Sequence, residues 1–463
     1  MSTTRNPSKN ITLSIYLSVF SLAVTVRLVN LWFIEDFSLH ALVEDSAIYW
    51  NGVKYWLDSG FFSELSPSGA EYTHNTERVP LYFIFLIPFQ AFMGDTLFPP
   101  IVAQVFLDAA SCVIIAKLGS LISFRTGVIS GFSSAVWYNL ILHTSFILTE
   151  TVFLFLMCLL LLVSAYFLLD CKLRHAALLG VICGLAMMTR TLVVLLPLII
   201  ALTCPVVTKY RLGNWRHGVS SGILVIVCSL LPASPIIYRN LTHFHTPHLT
   251  SQNGVFVLNW AVGLSKSLES GRSFDEESYE LNQKLERRIK NLPGQGEGLS
   301  PFEVSSQRLL LAKEEMSAMA VSTLLQGWLY GAVNNLASPV IAVDPRIRKF
   351  NTKSFYNTPG NNILEKTVNF LEGNNPFFVT MIVLSIIGGL IFCSLQFAGW
   401  VLLLRSHFWV AVIGGLYVLY FLVVSGPVGS AKYRLPIEPL LIIFQSYWIS
   451  VLHKKYFQVT QEK

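Results

Sequence analysis

Stretches of about twenty apolar residues constrain this chain more than any other feature. They fall at 11–34, 98–121, 146–169, 219–238, 376–404, 408–425 and 436–453. A helix rises 1.5 Å per residue, so each run is long enough to cross a hydrocarbon core about 30 Å thick. Only 13% of the residues are Asp, Glu, Lys or Arg, against about 25% in an ordinary soluble domain. The expected class is therefore an all-α polytopic membrane protein. The first run follows a polar, mildly basic tail (Arg5, Lys9) and has no small-residue cleavage site, so it reads as a retained span.

Basic residues mark the cytoplasmic ends of the spans: Lys172 and Arg174, then Lys209, Arg211, Arg216 and His217, then 405–407, then Lys454 and Lys455. The acidic stretch 35–78 then faces the other side. The net charge of +6 sits mainly in loops and implies no nucleic-acid partner. The seven cysteines lie mostly in apolar runs without CxxC pairing, which points to neither a disulfide frame nor a zinc site. Two regions leave the span count open at nine to twelve. Residues 80–121 can hold a short and a long helix parted by "GDTLFPP", and 176–204 can be a hairpin broken at Arg190. No internal repeat is evident.

The chain divides into a tail and first helix (1–34), a first extracytoplasmic loop with interfacial helices (35–79), a transmembrane bundle (80–238), a small, mainly helical extracytoplasmic segment (239–375), and C-terminal helices with a cytoplasmic tail (376–463). Within the polar segment, "SPFE" at Ser300–Glu303 is a capping box with proline at the first helical position. The helix it starts is expected to run on into "AMAVSTLLQGWLYGAVNNL".

The first loop carries "LVEDSAIYWNGVKYW" at 42–56. In a helix Asp45, Tyr49, Gly52 and Trp56 share one face. That face presents a carboxylate beside an aromatic rail, or else it is an ordinary amphipathic connector with solvated acids. The loop ends with Glu77 and Arg78 ahead of Pro80, which puts an arginine at headgroup depth. Arg190 lies between apolar stretches, where a guanidinium costs several kcal/mol unless solvated or paired; it faces a polar cavity, pairs with Glu150, or does both. Glu150 opens a helix, where the macrodipole favours a carboxylate in any case. Arg434 is a site residue or a headgroup anchor. His243, His245 and His248 lack a nearby acidic ligand and read as solvated, and the sequon at Asn240 reads as chance. No Gly-rich phosphate loop follows a strand, which argues against a nucleotide-sugar donor in a Rossmann-type fold.

Taken in order, these segments resemble the GT-C superfamily, and more narrowly its family-39-type integral membrane glycosyltransferases, relatives of protein O-mannosyltransferases and of the lipid A aminoarabinose transferase. The resemblance rests on D-x-x-x-Y (Asp45, Tyr49), R-x-P-L-Y (Arg78, Pro80, Leu81, Tyr82), the Gly94-Asp95 turn, Thr149-Glu150, G-L-x-x-x-T-R (Gly184 to Arg190) with Pro197, Arg239-Asn240 with Asn253-Gly254, and Y-R-x-P-x-x-P (Tyr433, Arg434, Pro436, Pro439). It departs in having a single proline after Arg78, and Glu-Asp where some members have Asp-Glu, so the catalytic acid stays open between Glu44 and Asp45, with Asp45 favoured by its register with Tyr49.

The resemblance implies a GT-C-type bundle and transfer of a sugar from a polyprenyl monophosphate to an acceptor hydroxyl of a glycan, lipid or protein on the non-cytoplasmic face. It implies Asp45 as general base, Arg78, Arg190 and Arg434, with Lys432, around the leaving phosphate, and Tyr49, Tyr82, Glu150 and Tyr433 as further substrate contacts. The donor is the only small molecule required, and no metal is demanded. The absence of a retrieval signal in "VTQEK" and the short extramembrane part favour a bacterial inner membrane, with the site toward the periplasm. A transporter or flippase for an anionic lipid-linked substrate, a noncatalytic scaffold and a ligase of preassembled glycans are the competing readings.

Overall fold

The computed structural model describes residues 9–66, 69–292, 298–350, 354–355, 357–360 and 362–461. Its first part runs α1 (Lys9–Trp32), α2 (Phe37–Ala41), α3 (Ser46–Ser59), a β1–β2 hairpin (Ser63–Leu65, Tyr72–His74), α4 (Leu81–Met93), α5 (Phe98–Ile122), α6 (Phe124–Ala135), α7 (Tyr138–His143), α8 (Glu150–Asp170), α9 (Leu173–Met187), α10 (Leu196–Leu212) and α11 (Trp215–Phe244). Short helices follow: α12 (Gln252–Val255), α13 (Gly263–Ser270), α14 (Phe274–Lys290), α15 (Pro301–Ala318), α16 (Val321–Ala337), α17 (Pro345–Arg348) and α18 (Ile363–Glu372). The chain ends with α19 (Pro376–Ser406), α20 (Phe408–Val424), α21 (Ala431–Arg434) and α22 (Glu438–Gln461).

Helices are the outcome that lipid enforces, because no water is available to satisfy a free backbone N–H or C=O. Among the described residues, six helices are long and apolar enough to cross a membrane: α1, α5, α8, α10 with the turn before it, α11 and α19. The apolar α9 and α20 are shorter; with α22 they carry the chain back and forth between two ends of the bundle. The expected division of 80–121 and the break at Arg190 are both present, as α4 and α5 and as the turn between α9 and α10.

Packing within the bundle rests on small residues and on buried ion pairs, of which Arg27–Asp108 is sealed from solvent on both sides. Gly180 and Gly184 let α9 approach α11 so closely that a Cβ on Gly184 would stand 2.4 Å from the Ser229 carbonyl oxygen. This is the small-xxx-small device by which helices associate where lipid supplies no hydrophobic drive. In α6, Gly127, Ser130, Gly131 and Ser134 are buried. These small residues dilute its hydropathy, which is why no apolar run marks it in the sequence. Arg27 of α1 is fully buried against Asp108 of α5, and its guanidinium also donates to the carbonyl oxygen of Ala135, 2.6 Å away. That arrangement satisfies a charge which lipid would otherwise penalise heavily.

Three details depart from expectation. The first loop contains a β-hairpin with Ser63 opposite His74, and this is the strand pairing among the described residues. Helix α11 continues to Phe244, past the expected boundary at 238. The helix opened by the Ser300–Glu303 capping box, which is present with both reciprocal bonds, stops at Ala318 instead of running on. Met319 and Ala320 are extended, and α16 sets off anew with Gly327 and Gly331 against Ser265 and the Gly426–Pro427 turn. Tertiary packing makes that break; no proline or glycine announces it.

Candidate active site

Hydrogen bonds between connectors, three of them backbone to backbone, bring distant segments together at one end of the bundle. The Ile147 N–H donates to the Ala41 carbonyl at 3.0 Å, which sets the approach to Glu150 beside the approach to Glu44 and Asp45. The Leu81 N–H donates to the Met188 carbonyl at 2.9 Å, which sets Arg78 beside the turn holding Arg190. Asn139 at the start of α7 donates through Nδ2 to the Ala431 carbonyl at 3.0 Å and positions Lys432 and Tyr433. A fourth bond, from the Ser251 N–H to the Thr76 carbonyl, ties the extramembrane helices to the end of the first loop.

Onto this frame the side chains place three ion pairs. Lys432 Nζ donates to Glu44 Oε2 at 2.6 Å, Arg190 Nη1 lies 2.6 Å from Glu150 Oε1, and Arg78 Nη2 lies 3.3 Å from Asp45 Oδ1. The pairs differ in exposure: Glu150 is 4% accessible and Glu44 27%, whereas Asp45 is 48% accessible. Glu44 has φ of 49°, in the left-handed region that non-glycine residues seldom occupy. This local twist sends adjacent carboxylates to different cations, and such outliers are retained where the surroundings over-determine them. Asp45 stands just ahead of α3 but makes no side-chain cap to it, so its oxygens are directed at the arginine and at solvent.

Aromatic rings line the cluster. The Arg190 guanidinium lies 5.8 Å from the Phe153 ring centroid and 5.6 Å from that of Tyr433, and Lys432 lies 5.6 Å from the same Tyr433 ring. Such contacts suit a cation partly withdrawn from water. Burial works against the Lys432 charge, but Tyr433 and the Glu44 and Glu150 carboxylates outweigh it and hold the ammonium above the usual lysine range. Tyr49 is buried behind the acids and meets Tyr82 edge-on, with centroids 5.2 Å apart.

Of the residues singled out from the sequence, Glu44, Asp45, Tyr49, Arg78, Glu150, Arg190, Lys432 and Tyr433 come together here. Two do not reach the same surface. Tyr82 is fully buried, its hydroxyl donating to Gln104 Oε1 at 2.8 Å, so it backs Tyr49 and offers nothing to a ligand. Arg434 turns into the protein: Nε donates to Glu438 Oε1 at 2.8 Å and Nη1 to the Leu336 carbonyl at 2.8 Å. Two of its three nitrogens are thus turned to a fully buried carboxylate and a helix-end carbonyl, which argues against the expected role as a phosphate ligand.

Three further residues were not singled out. Gln104 bridges Tyr82 to the carbonyls of Thr144 and Phe146. Asn139 joins Glu438 to the Ala431 backbone. His143, 2% exposed, donates through Nδ1 to the Asn139 carbonyl, since a carbonyl only accepts. Polar residues four apart in the apolar stretch "NLILH" were the available signal. The histidines of the polar segment form no centre either: His243 meets His74, with ring centroids 4.4 Å apart, and among the described residues no group of three or more His, Cys, Asp or Glu side chains gathers as a metal would require. Asn240 is buried, with Nδ2 donating to the His248 carbonyl.

No protein-family model and no curated protein sequence matches the chain. Among solved structures it is similar to the archaeal oligosaccharyltransferase AglB from Archaeoglobus fulgidus in complex with an inhibitory peptide and a dolichol-phosphate, with a TM-score of 0.54 at 13% identity, covering 98% of this chain and 52% of that one. The chain thus spans about half the length of AglB. Similarity to ArnT from Cupriavidus metallidurans covers 95% of this chain, with a TM-score of 0.36 at 12% identity and 75% coverage for the apo state, and 0.34 at 14% and 76% for the form bound to undecaprenyl phosphate. The fold is an all-α polytopic membrane architecture, similar over nearly the whole of this chain to the corresponding half of AglB.

Proposed function

We propose that this protein is a glycosyltransferase that moves a sugar from a polyprenyl-phosphate carrier to an acceptor hydroxyl at the non-cytoplasmic face of a bacterial inner membrane. The observation that carries the reading is the meeting of Asp45, half-exposed, with Arg78, Arg190 and Lys432 at one end of a lipid-spanning bundle. The basic residues Lys172, Arg174, Lys209, Arg211, Arg216 and Arg405 lie in the connections and adjoining helix turns at the opposite end, and by the positive-inside rule such ends are expected in the cytoplasm. The dolichol-phosphate held by AglB is a lipid monophosphate of the class proposed.

In the reaction the acceptor oxygen attacks the anomeric carbon as its proton passes to the Asp45 carboxylate, and the bond from that carbon to the phosphate oxygen breaks with its electron pair going to the phosphate. A positioned carboxylate is a suitable base for such a proton. The charge that grows on the departing phosphate calls for pre-placed cations, and Arg78, Arg190 and Lys432 supply them. Glu44, bonded closely to Lys432, and Glu150, bonded closely to Arg190, hold those cations in place. Tyr433 offers a ring face for a sugar or for the cations beside it.

A transport pathway for an anion would need polar groups reachable from both faces. Arg27 and Asp108, charged and within the helices, are instead sealed against each other. The test supplies purified protein in lipid with radiolabelled polyprenyl-phosphate sugars and candidate acceptors. The expected outcome is that Asp45→Asn lowers transfer by about 100-fold or more and Arg78→Ala by a similar factor, with elution and thermal unfolding like the parent's. Parent rates in both variants would remove these residues from the reaction.

A further inference from the structure

The three pairs leave the resting site electrically balanced, with each cation expected to receive phosphate already facing a carboxylate. An entering headgroup therefore either shares a cation with its acid or takes that cation over, and the pairs differ in how readily they yield. Arg190 and Glu150 are close and nearly sealed from water, and Lys432 and Glu44 are equally close. Arg78 and Asp45 meet through one nitrogen at 3.3 Å, with Asp45 open to solvent. Arg78 also keeps a buried Nε without a hydrogen-bond partner, so its guanidinium has unused donor capacity. Its backbone, by contrast, is fixed: the Arg78 N–H donates to Asn75 Oδ1 at 2.9 Å, and Leu81 is bonded to Met188. The arginine can thus change partner by side-chain rotation alone.

We propose that Arg78 is an exchange residue: in the resting site it occupies the Asp45 carboxylate, and an incoming lipid monophosphate takes it over, so that Asp45 becomes free to accept the acceptor's proton only once the donor is seated. The inference rests on the glycosyltransferase reading and adds an order to it, lipid phosphate first and hydroxyl second. The physical basis is competition. An exposed ion pair is worth little, whereas a guanidinium on a phosphate gains charge-assisted, bidentate hydrogen bonds. The exchange also keeps the carboxylate from binding an acceptor hydroxyl when there is no sugar to transfer.

Competition predicts effects of opposite sign in one variant. Asp45→Asn removes the rival for Arg78, so it should bind the carrier more tightly although it transfers sugar poorly. The test measures equilibrium binding of undecaprenyl monophosphate, without sugar, to the full chain in nanodiscs. Asp45→Asn is expected to tighten binding by about two- to fivefold, and Arg78→Gln to weaken it. In the double variant Asp45→Asn/Arg78→Gln the tightening should vanish, since the competition runs through Arg78. Equal or weaker binding by Asp45→Asn, or tightening that persists without Arg78, overturns the exchange while leaving the glycosyltransferase reading intact. Failure of the parent and every variant to bind the lipid overturns both.

Discussion

Arg190 and Arg434 begin as equals in the sequence, each beside an apolar run, and the structure gives them different work. Arg190 pairs with Glu150 and keeps its guanidinium between two aromatic rings at the rim of the site. Arg434 is drawn under the surface by Glu438, which is fully buried and also accepts from Asn139. Removing one partner of such a pair leaves an uncompensated buried charge, at a cost of about 3–5 kcal/mol. Arg434→Ala is accordingly expected to lower the unfolding temperature sharply, and Arg434→Met with Glu438→Leu to recover much of it. A stably folded Arg434→Ala protein with only weakened donor binding would instead return this residue to the phosphate site. The sequence placed both arginines at span ends. It could not show that an acid one helical turn after Arg434 would be buried beneath it.

At the scale of elements, the helices that lipid requires were legible and their internal breaks only partly so. Long apolar runs, the Ser300–Glu303 capping box and the interruption at Arg190 all carry local signals that survive into the structure. Helix α6 carries none, because its buried face is made of glycine and serine, and the stop at Ala318 answers to α16 packing elsewhere. The α9–α11 contact tests how far close approach matters. A leucine at Gly184 would meet the Ser229 carbonyl and the Pro232 ring. Overpacking of this kind costs about 1–3 kcal/mol, and because α9 leads directly into Arg190, the strain reaches the site. Gly184→Leu should therefore lower both thermal stability and sugar transfer, whereas Gly388→Leu, where a Cβ meets nothing within 4 Å, should leave both near the parent's values. Similar behaviour of the two variants would show that helix separation at this crossing is unimportant.

For the molecule as a whole, the proposed orientation rests on charge, and connector hydrogen bonds assemble the charged cluster. In that proposed orientation the basic ends lie in the cytoplasm, and the first loop and helices α12–α18 face outward. A cysteine at Tyr279, 67% exposed, should then react with a membrane-impermeant maleimide in intact cells. A cysteine at Arg216, exposed in the first turn of α11 at the opposite end, should react only after permeabilisation, with labelling of the parent's own cysteines subtracted. The reverse pattern would invert the topology and put the acids on the wrong side for the proposed acceptor.

What the sequence by itself determined was the class, the ends of most spans and the set of charged residues at one end, because hydropathy, helix caps and charge asymmetry act over a few residues. Tertiary structure alone decided which acid faces which cation. Glu44 and Lys432 lie nearly the whole chain apart, and their meeting depends on the backbone bond from Ile147 to Ala41 and the side-chain bond from Asn139 to the Ala431 carbonyl, joining connectors that no local pattern relates. The partly open pairing of Asp45 with Arg78, on which the proposed chemistry turns, follows from the same cause.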